Sequence, residues 1–160
     1  MKLSRPEARA LVHKLWQEFL DKKGYSVEEI KSLVASVNDD LTIRDYFLGL
    51  PCEVSTDGIE AVSTSALCGE FVSSLALVAQ DNGITQTELV PFMAIVATFF
   101  IDMGEQAEAI TALQGSLYLN PDYSLSKLLL QGVIQGSINA EVLTTMRSDL
   151  HAKVAEAMAE

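Results

Sequence analysis

The histidines and cysteines are the side chains of this chain best suited to act as bases, nucleophiles or metal ligands. The two histidines, His13 and His151, lie far apart in the sequence, and Cys52 and Cys68 are sixteen residues apart with no CxxC pair. Zinc needs about four ligands, so this pattern predicts no zinc site. We interpret Cys68 as a buried residue of a helix and Cys52 as a free loop thiol. His13 is predicted to cover the edge of the core, and His151 to face solvent.

Three carboxylates, Asp102, Glu105 and Glu108, form a second group of candidate residues around Gly104. A di-metal site in a helix bundle needs paired Glu-x-x-His sequences, and the chain has none. It also lacks a G-x-S-x-G nucleophile sequence and the glycine patterns that bind phosphates. We therefore predict no catalytic residue, no cofactor site and no metal site, and interpret the three carboxylates as helix-end charges.

The elements that position these residues are predicted to be helices throughout. Apolar residues recur at three- and four-residue spacing, and no segment alternates with a period of two. The predicted fold class is all-α, an antiparallel stack of about eight helices in a single domain over residues 1–160. One long loop is predicted over residues 51–57. The helices are expected between residues 4 and 24, 26 and 38, 42 and 48, 58 and 80, 85 and 102, 105 and 119, 124 and 135, and 139 and 160.

Capping residues indicate where most of these helices begin. Capping boxes or single N-caps are predicted at five positions: Ser4-x-x-Glu7, Ser26-x-x-Glu29, Thr85-x-x-Glu88, Ser124 and Asn139. Pro91 is expected in the first turns of the apolar helix, or to kink it. The sequence Asp81-Asn82-Gly83 predicts a left-handed stop.

The segment after Gly104 has the most specific pattern in the chain. Ala109, Ser116 and Pro121 follow Gly104 at intervals of five, seven and five residues, which is the register of a tetratricopeptide helical hairpin. Gly104 can turn the chain in the left-handed conformation, and Pro121 ends the second helix. Small Ala109 and Ser116 let two helices approach closely. We therefore expect this helix to lie antiparallel to the apolar helix before it, with Ala109 at their contact.

Charge is distributed unevenly along the chain. The 11 Lys and Arg residues and 22 Asp and Glu residues give a formal net charge of −11. Residues 1–50 are predicted to form N-terminal helices of balanced charge, and residues 58–160 an acidic helical-hairpin region. Residues 45–126 contain no Lys or Arg. This disfavours direct binding to nucleic acid or anionic lipid, which requires clustered basic residues. Two interpretations stay open: a solvated acidic surface, or an acidic face shaped for a basic partner.

No membrane association is predicted. The longest apolar run, residues 89–101, has thirteen residues with Thr98 as its only polar member, and a bilayer span needs about twenty. The N-terminus leads directly into an amphipathic helix without the apolar region of a signal peptide. Together with the unpaired cysteines, this predicts a cytoplasmic protein.

Four short sequences together carry a family resemblance: Ile43-Arg44-Asp45, Pro91-Phe92-Met93-Ala94, Met103-Gly104-Glu105-Gln106-Ala107 and Asn120-Pro121-Asp122-Tyr123-Ser124-Leu125-Ser126-Lys127-Leu128-Leu129. Over about residues 40–136 the chain resembles the carboxyl-terminal part of an actinobacterial family called domain of unknown function 4192, most specifically over residues 104–130. Members of that family carry a further amino-terminal region, and a Trp where this chain has Phe99 and Phe100. The resemblance implies a helical fold, suits a small phage-borne or accessory protein, and implies no activity.

The predicted function is a non-enzymatic protein–protein interaction module that uses helix faces or a groove. The alternative is an acidic decoy that binds and blocks a basic nucleic-acid-binding protein. Tyrosines at the edge of a helical repeat are suited to anchor an interface. For Arg44, the alternative to a partner contact is a structural one, in which it pairs with an acid near Gly104 and locks the third helix. The candidate partner-binding residues are Arg44, Asp45, Tyr118, Asp122 and Tyr123.

The last predicted helix has a long apolar stripe that includes Val142, Met146, Leu150 and Val154. We expect a homodimer in which a terminal helix takes part, with two-fold symmetry. The alternative is a monomer in which this stripe folds back onto the preceding helix as a terminal cap.

Overall fold

The computed structural model describes residues 2–54 and 61–160, and these residues form helices and turns only. This part of the chain contains nine α-helices, and a short 3-10 turn, Thr87–Leu89, leads into the sixth. The prediction of an all-α fold with about eight helices is therefore confirmed. The helices are α1 (Arg5–Leu20), α2 (Val27–Asp39), α3 (Leu41–Leu48), α4 (Leu50–Glu53), α5 (Ala61–Asp81), α6 (Val90–Asp102), α7 (Gln106–Leu119), α8 (Ser124–Gln135) and α9 (Ala140–Met158).

Local sequence explains several helix ends. The Ser4 hydroxyl accepts from the Glu7 backbone N–H, and the Glu7 carboxylate accepts from that of Ser4, so the predicted capping box is confirmed. Asn139 caps α9, also as predicted. Pro91 lies in the first turn of α6, where its missing N–H leaves no helical bond unmade. Three glycines with positive φ follow the ends of α5, α6 and α8: Gly83 (93°), Gly104 (73°) and Gly136 (79°).

Several boundary predictions were wrong. Ser26 makes no side-chain cap at the start of α2, and Ser124 is the first residue of α8, with Tyr123 at the N-cap position. Residues 51–53 belong to α4 rather than to a loop, because Pro51 is accepted in the first turn of a helix. Two parts of these predictions lie outside the described residues, namely the end of the predicted loop at residues 55–57 and the predicted helix start at residues 58–60.

The helix α6 lies at the centre of the fold. Apart from Thr98 and Asp102, which are buried, it is apolar on every side, and such a helix must be covered by neighbours. It contacts α3, α5, α7 and α9. Ring contacts support this packing: Phe47 of α3 lies 5.7 Å from Phe92 of α6 between ring centroids, and Trp16 of α1 lies edge-on to Phe71 of α5 at 5.3 Å.

The helices α6 and α7 form the predicted hairpin. Ile101 and Ala109 share one core cluster, and Ala97 and Leu113 share another, so the two helices are antiparallel. Ala109 is fully buried, as expected for the contact residue. Ser116 is also buried, but its hydroxyl lies 2.6 Å from the Ser126 hydroxyl, so it also serves the contact with α8.

A buried ion pair joins α9 to the centre of the molecule. The Arg147 guanidinium donates to the Asp102 carboxylate of α6, to the Leu48 carbonyl at 2.7 Å and to the Thr98 hydroxyl at 3.2 Å. The Ser65 hydroxyl of α5 donates to the same carboxylate at 2.7 Å. Both charged side chains are 6% exposed. Asp102 is the last residue of α6, as predicted, but its charge is buried and paired, because α9 covers that end of the helix.

The apolar stripe of α9 is internal only in part. Leu143, Val154 and Met158 are buried, whereas Val142 and Met146 are exposed. The helix packs mainly on α3 and α6. The monomer alternative differs from this arrangement, since it placed the stripe on the preceding helix, α8. The homodimer stays a prediction.

Replacing Ala109 with Leu should lower the free energy of unfolding by about 1–3 kcal/mol, because a fully buried contact has no room for the added atoms. Urea denaturation followed by circular dichroism measures this change. Ala107 is exposed on the same helix, and Ala107→Leu should change stability by less than about 0.5 kcal/mol. Equal stability of Ala109→Leu and the parent chain would contradict the described contact.

Replacing Arg147 with Met should cost about 3–5 kcal/mol, because the Asp102 carboxylate would be left buried without its cation. Adding Asp102→Leu removes that carboxylate, so the double variant should regain much of the lost stability. Urea denaturation of both single variants and the double variant gives the coupling energy between the two side chains. Strictly additive effects would show that the two side chains are energetically independent.

Candidate functional site

An open groove runs over α6 between α5 and α7, and we call it the α6 groove. Its first section has a volume of about 480 Å³. The walls come from the end of α5 and the second half of α7, and Ser73, Gln80 and Gln86 are the polar side chains among its described lining residues. The remainder of the lining is apolar: Ala76, Leu77, Leu89, Phe92, Met93, Val96, Ala112, Gly115, Tyr118 and Leu119.

A second depression of about 290 Å³ extends the groove toward the end of α6. It shares Ser73 and Val96 with the first section, so the two are continuous. It adds Gly69, Met103 and Glu70, among others. The fourteen residue steps from Leu89 to Met103 correspond to about 21 Å of helix, at 1.5 Å per residue.

The floor of the α6 groove is a stripe of half-buried α6 residues. Met93, Val96 and Phe100, with Met103 just after the helix, recur at positions i, i+3, i+7 and i+10 and so share one face. All four are partly exposed, whereas every other residue of α6 is buried. One face of a helix that is apolar on all sides thus lacks a covering element among the described residues.

The walls of the groove combine small residues with large exposed ones. Gly115 allows α7 to lie close to α6, since a Cβ atom there would meet the Met93 methyl group at 3.0 Å. At the rim, Tyr118 of α7 is 87% exposed and Leu77 of α5 is 61% exposed. Large apolar side chains held at the rim of an apolar groove are typical of protein interaction sites.

The structure brings together three of the five predicted partner-binding residues. The Arg44 guanidinium pairs with Asp45 at 2.8 Å and lies 3.5 Å from the Tyr123 hydroxyl, which attaches α3 to the turn between α7 and α8. Arg44 therefore pairs with its own neighbour and not with an acid near Gly104. Asp122 is exposed in that turn, and Tyr118 lies on the rim of the α6 groove.

A second group of interacting side chains, the Glu53 cluster, was not predicted from the sequence. The Glu53 carboxylate accepts from Arg9 at 2.7 Å and lies 3.0 Å from His13 Nε2 and 2.8 Å from His151 Nε2. The Tyr46 hydroxyl lies 2.9 Å from His13 Nε2. The prediction that His151 faces solvent was wrong, because the ring is half-buried against Glu53.

The Glu53 cluster joins α1, α3, α4 and α9 through one carboxylate that is 6% exposed. Burial by itself would raise the pKa of Glu53, but hydrogen bonds from His151, Arg9, His13 and Tyr46 outweigh it and lower the pKa to about 2. Within residues 2–54 and 61–160, no group of His, Cys, Asp and Glu side chains is arranged to hold a metal ion. The geometry of the cluster is that of a junction between helices.

The cysteines follow the predicted pattern of burial. Cys68 is buried in α5, and this burial raises the pKa of its thiol to about 12, which keeps it protonated. Cys52 is free and exposed, although it lies in α4 rather than in a loop.

Comparison with models of known protein families, with curated proteins and with solved structures finds no match. The resemblance to the domain of unknown function 4192 family therefore stays a prediction. No helix in the described part of the chain is both long and apolar enough to cross a membrane.

Replacing Glu53 with Gln should lower the free energy of unfolding by about 2–3 kcal/mol at pH 7. The pKa of Glu53 is about 2 in the folded chain and 4.5 ordinarily, so the ionised carboxylate stabilises the fold, and Gln removes that charge. This stabilisation is fully present above the pKa that Glu53 has in the unfolded chain. It is lost as the pH falls toward and through the pKa that Glu53 has in the folded chain. The difference between the two chains should therefore shrink below pH 4.5 and nearly vanish near pH 2.

Urea denaturation at a series of pH values measures this effect, with Glu28→Gln as the control because Glu28 is an exposed acid of α2. A constant difference between Glu53→Gln and the parent chain from pH 7 to pH 2 would show that the Glu53 charge does not stabilise the fold.

Proposed function

We propose that this chain is a non-enzymatic protein-interaction module that binds a helical segment of another protein in the α6 groove. The observation that supports the proposal is the half-buried stripe of Met93, Val96, Phe100 and Met103 on an otherwise buried helix. An amphipathic helix that places apolar residues at i, i+3 or i+4, and i+7 would cover this stripe.

The dimensions of the groove suit such a segment. A floor of about 21 Å matches a helix of about four turns, or some fourteen residues. The walls, α5 and α7, would take the place of neighbouring helices in a helical stack, so the bound segment would pack as one further helix. Burying each large apolar side chain is worth about 1.5–3 kcal/mol before the cost of association is subtracted.

The residues predicted from the sequence would have different roles in this interaction. Tyr118 is suited to anchor the partner, because it is large, exposed and at the groove rim. Arg44, Asp45 and Tyr123 would instead support the groove, since they attach α3 to the turn that follows α7. Asp122 contributes negative charge in that turn.

The acidic decoy is a second candidate, favoured by the absence of Lys and Arg from residues 45–126. A decoy would bind through exposed carboxylates and would not need the apolar floor of the groove. The two functions therefore differ in how they respond to apolar substitutions at the rim.

The double variant Leu77→Gln, Tyr118→Ala should bind an amphipathic helical peptide at least tenfold more weakly than the parent chain does. This loss corresponds to about 1.4 kcal/mol. The probe is a labelled eighteen-residue peptide with Leu at helical i, i+3, i+7 and i+10 positions and Lys at the polar ones, and binding is read as fluorescence anisotropy. The reason for the loss is that both anchors at the rim would be removed.

The matched control is Ile134→Gln, which changes an apolar residue of α8 that is 63% exposed, much like Leu77, and lies outside the groove lining. It should leave the affinity unchanged. Equal loss of affinity in both variants would contradict the proposed function.

A further inference from the structure

We infer that the helical segment bound in the α6 groove is a basic one, with apolar residues in its middle and Lys or Arg residues near both ends. This inference rests on the proposed function and names the class of partner. It follows from the acidic residues near the groove and from their lack of ion pairs within the described part of the chain.

At both ends of the α6 groove, acidic residues either line it or lie close along the chain to residues that do. Where α6 begins, Asp81 follows the lining residue Gln80 and Glu88 precedes the lining residue Leu89. Where α6 ends, Glu70 itself lines the groove, and Glu108 lies one helical turn before the lining residue Ala112. All four of these acids are exposed.

These acids differ from several acids of the N-terminal helices in having no cation beside them. In the first half of the chain, Asp39, Asp40, Glu29 and Glu53 each form an ion pair with a Lys or Arg side chain. Within the described residues, no ion pair includes Glu70, Asp81, Glu88 or Glu108. No Lys or Arg occurs between residues 45 and 126 to neutralise them.

The lining of the groove also requires the partner to present an apolar surface. Its first section has no charged side chain among the described lining residues, and Glu70 is the charged one in the second. A partner must therefore bury apolar side chains along the floor and place its charged ones beyond the ends or along the rim. Cations there would meet four unpaired carboxylates, whereas anions would be repelled. The net charge of −11 would also attract such a segment from a distance.

Three peptides separate this inference from the proposed function. They share one length and the same four Leu positions, and their polar positions carry Lys, Gln or Glu. At low salt the Lys peptide should bind at least tenfold more tightly than the Gln peptide, and the Glu peptide most weakly. The advantage of the Lys peptide should fall as salt is raised from about 20 to 300 mM, because exposed charges are screened.

Each pattern of binding has a distinct meaning. Failure of all three peptides to bind would overturn the proposed function, and this inference with it. Equal affinities for the Lys and Gln peptides would overturn only the inference, because the groove would then bind a helix without selecting its charge. Lys-peptide binding that survives Leu77→Gln with Tyr118→Ala would place the basic segment outside the groove and overturn the inference as well.

A pair of triple variants tests whether local charge or net charge selects the peptide. The groove variant is Glu70→Gln, Asp81→Asn and Glu88→Gln, and the control is Glu28→Gln, Glu141→Gln and Glu156→Gln, which changes the net charge equally at exposed positions outside the groove lining. The groove variant should lose roughly tenfold in Lys-peptide affinity and much of the salt dependence, and the control less than about twofold. Equal losses in both would show that net charge alone attracts the peptide, which overturns the inference.

Discussion

The rest of this structure depends on the need to cover α6. A helix that is apolar on every side is stable in water only if neighbouring elements exclude solvent from it. The helices α3, α5, α7 and α9 each cover part of its surface. The stripe over Met93, Val96 and Phe100 is the part that the described residues leave half-open, between α5 and α7. The groove is thus a consequence of how the core is built, since it is the one face of the central helix without a neighbour in the described structure.

Two polar contacts determine how α9 lies on this core. Arg147 and His151 are four residues apart and so share a face of α9. The first binds Asp102 and the second binds Glu53, which places α9 against both α6 and α4. Apolar side chains of similar volume could often replace such pairs at little cost, but a misplaced helix would leave the charges buried and unpaired. The two contacts therefore disfavour other positions of α9.

The sequence predicted the local features well and the distant contacts poorly. Gly104 and Ala109 were identified from a register that depends only on near neighbours along the chain, and the structure confirms the hairpin. The pairing of Arg147 with Asp102 spans 45 residues, and that of His151 with Glu53 spans 98. No local pattern encodes such pairs, because they form only when separate helices pack. Of the groove, the sequence indicated Tyr118, while the open stripe on α6 depends on where α5 and α7 lie.

The position of Arg147 in the chain has a consequence for the order in which the protein is made. Asp102 leaves the ribosome 45 residues before the cation that pairs with it. At about 5–20 residues per second, this delay lasts several seconds. During that time α6 and α7 can form their hairpin from neighbouring residues, but the Asp102 carboxylate must stay hydrated. The α6 end of the core therefore closes only after α9 has been synthesised, and a nascent chain presents this acid to water until then.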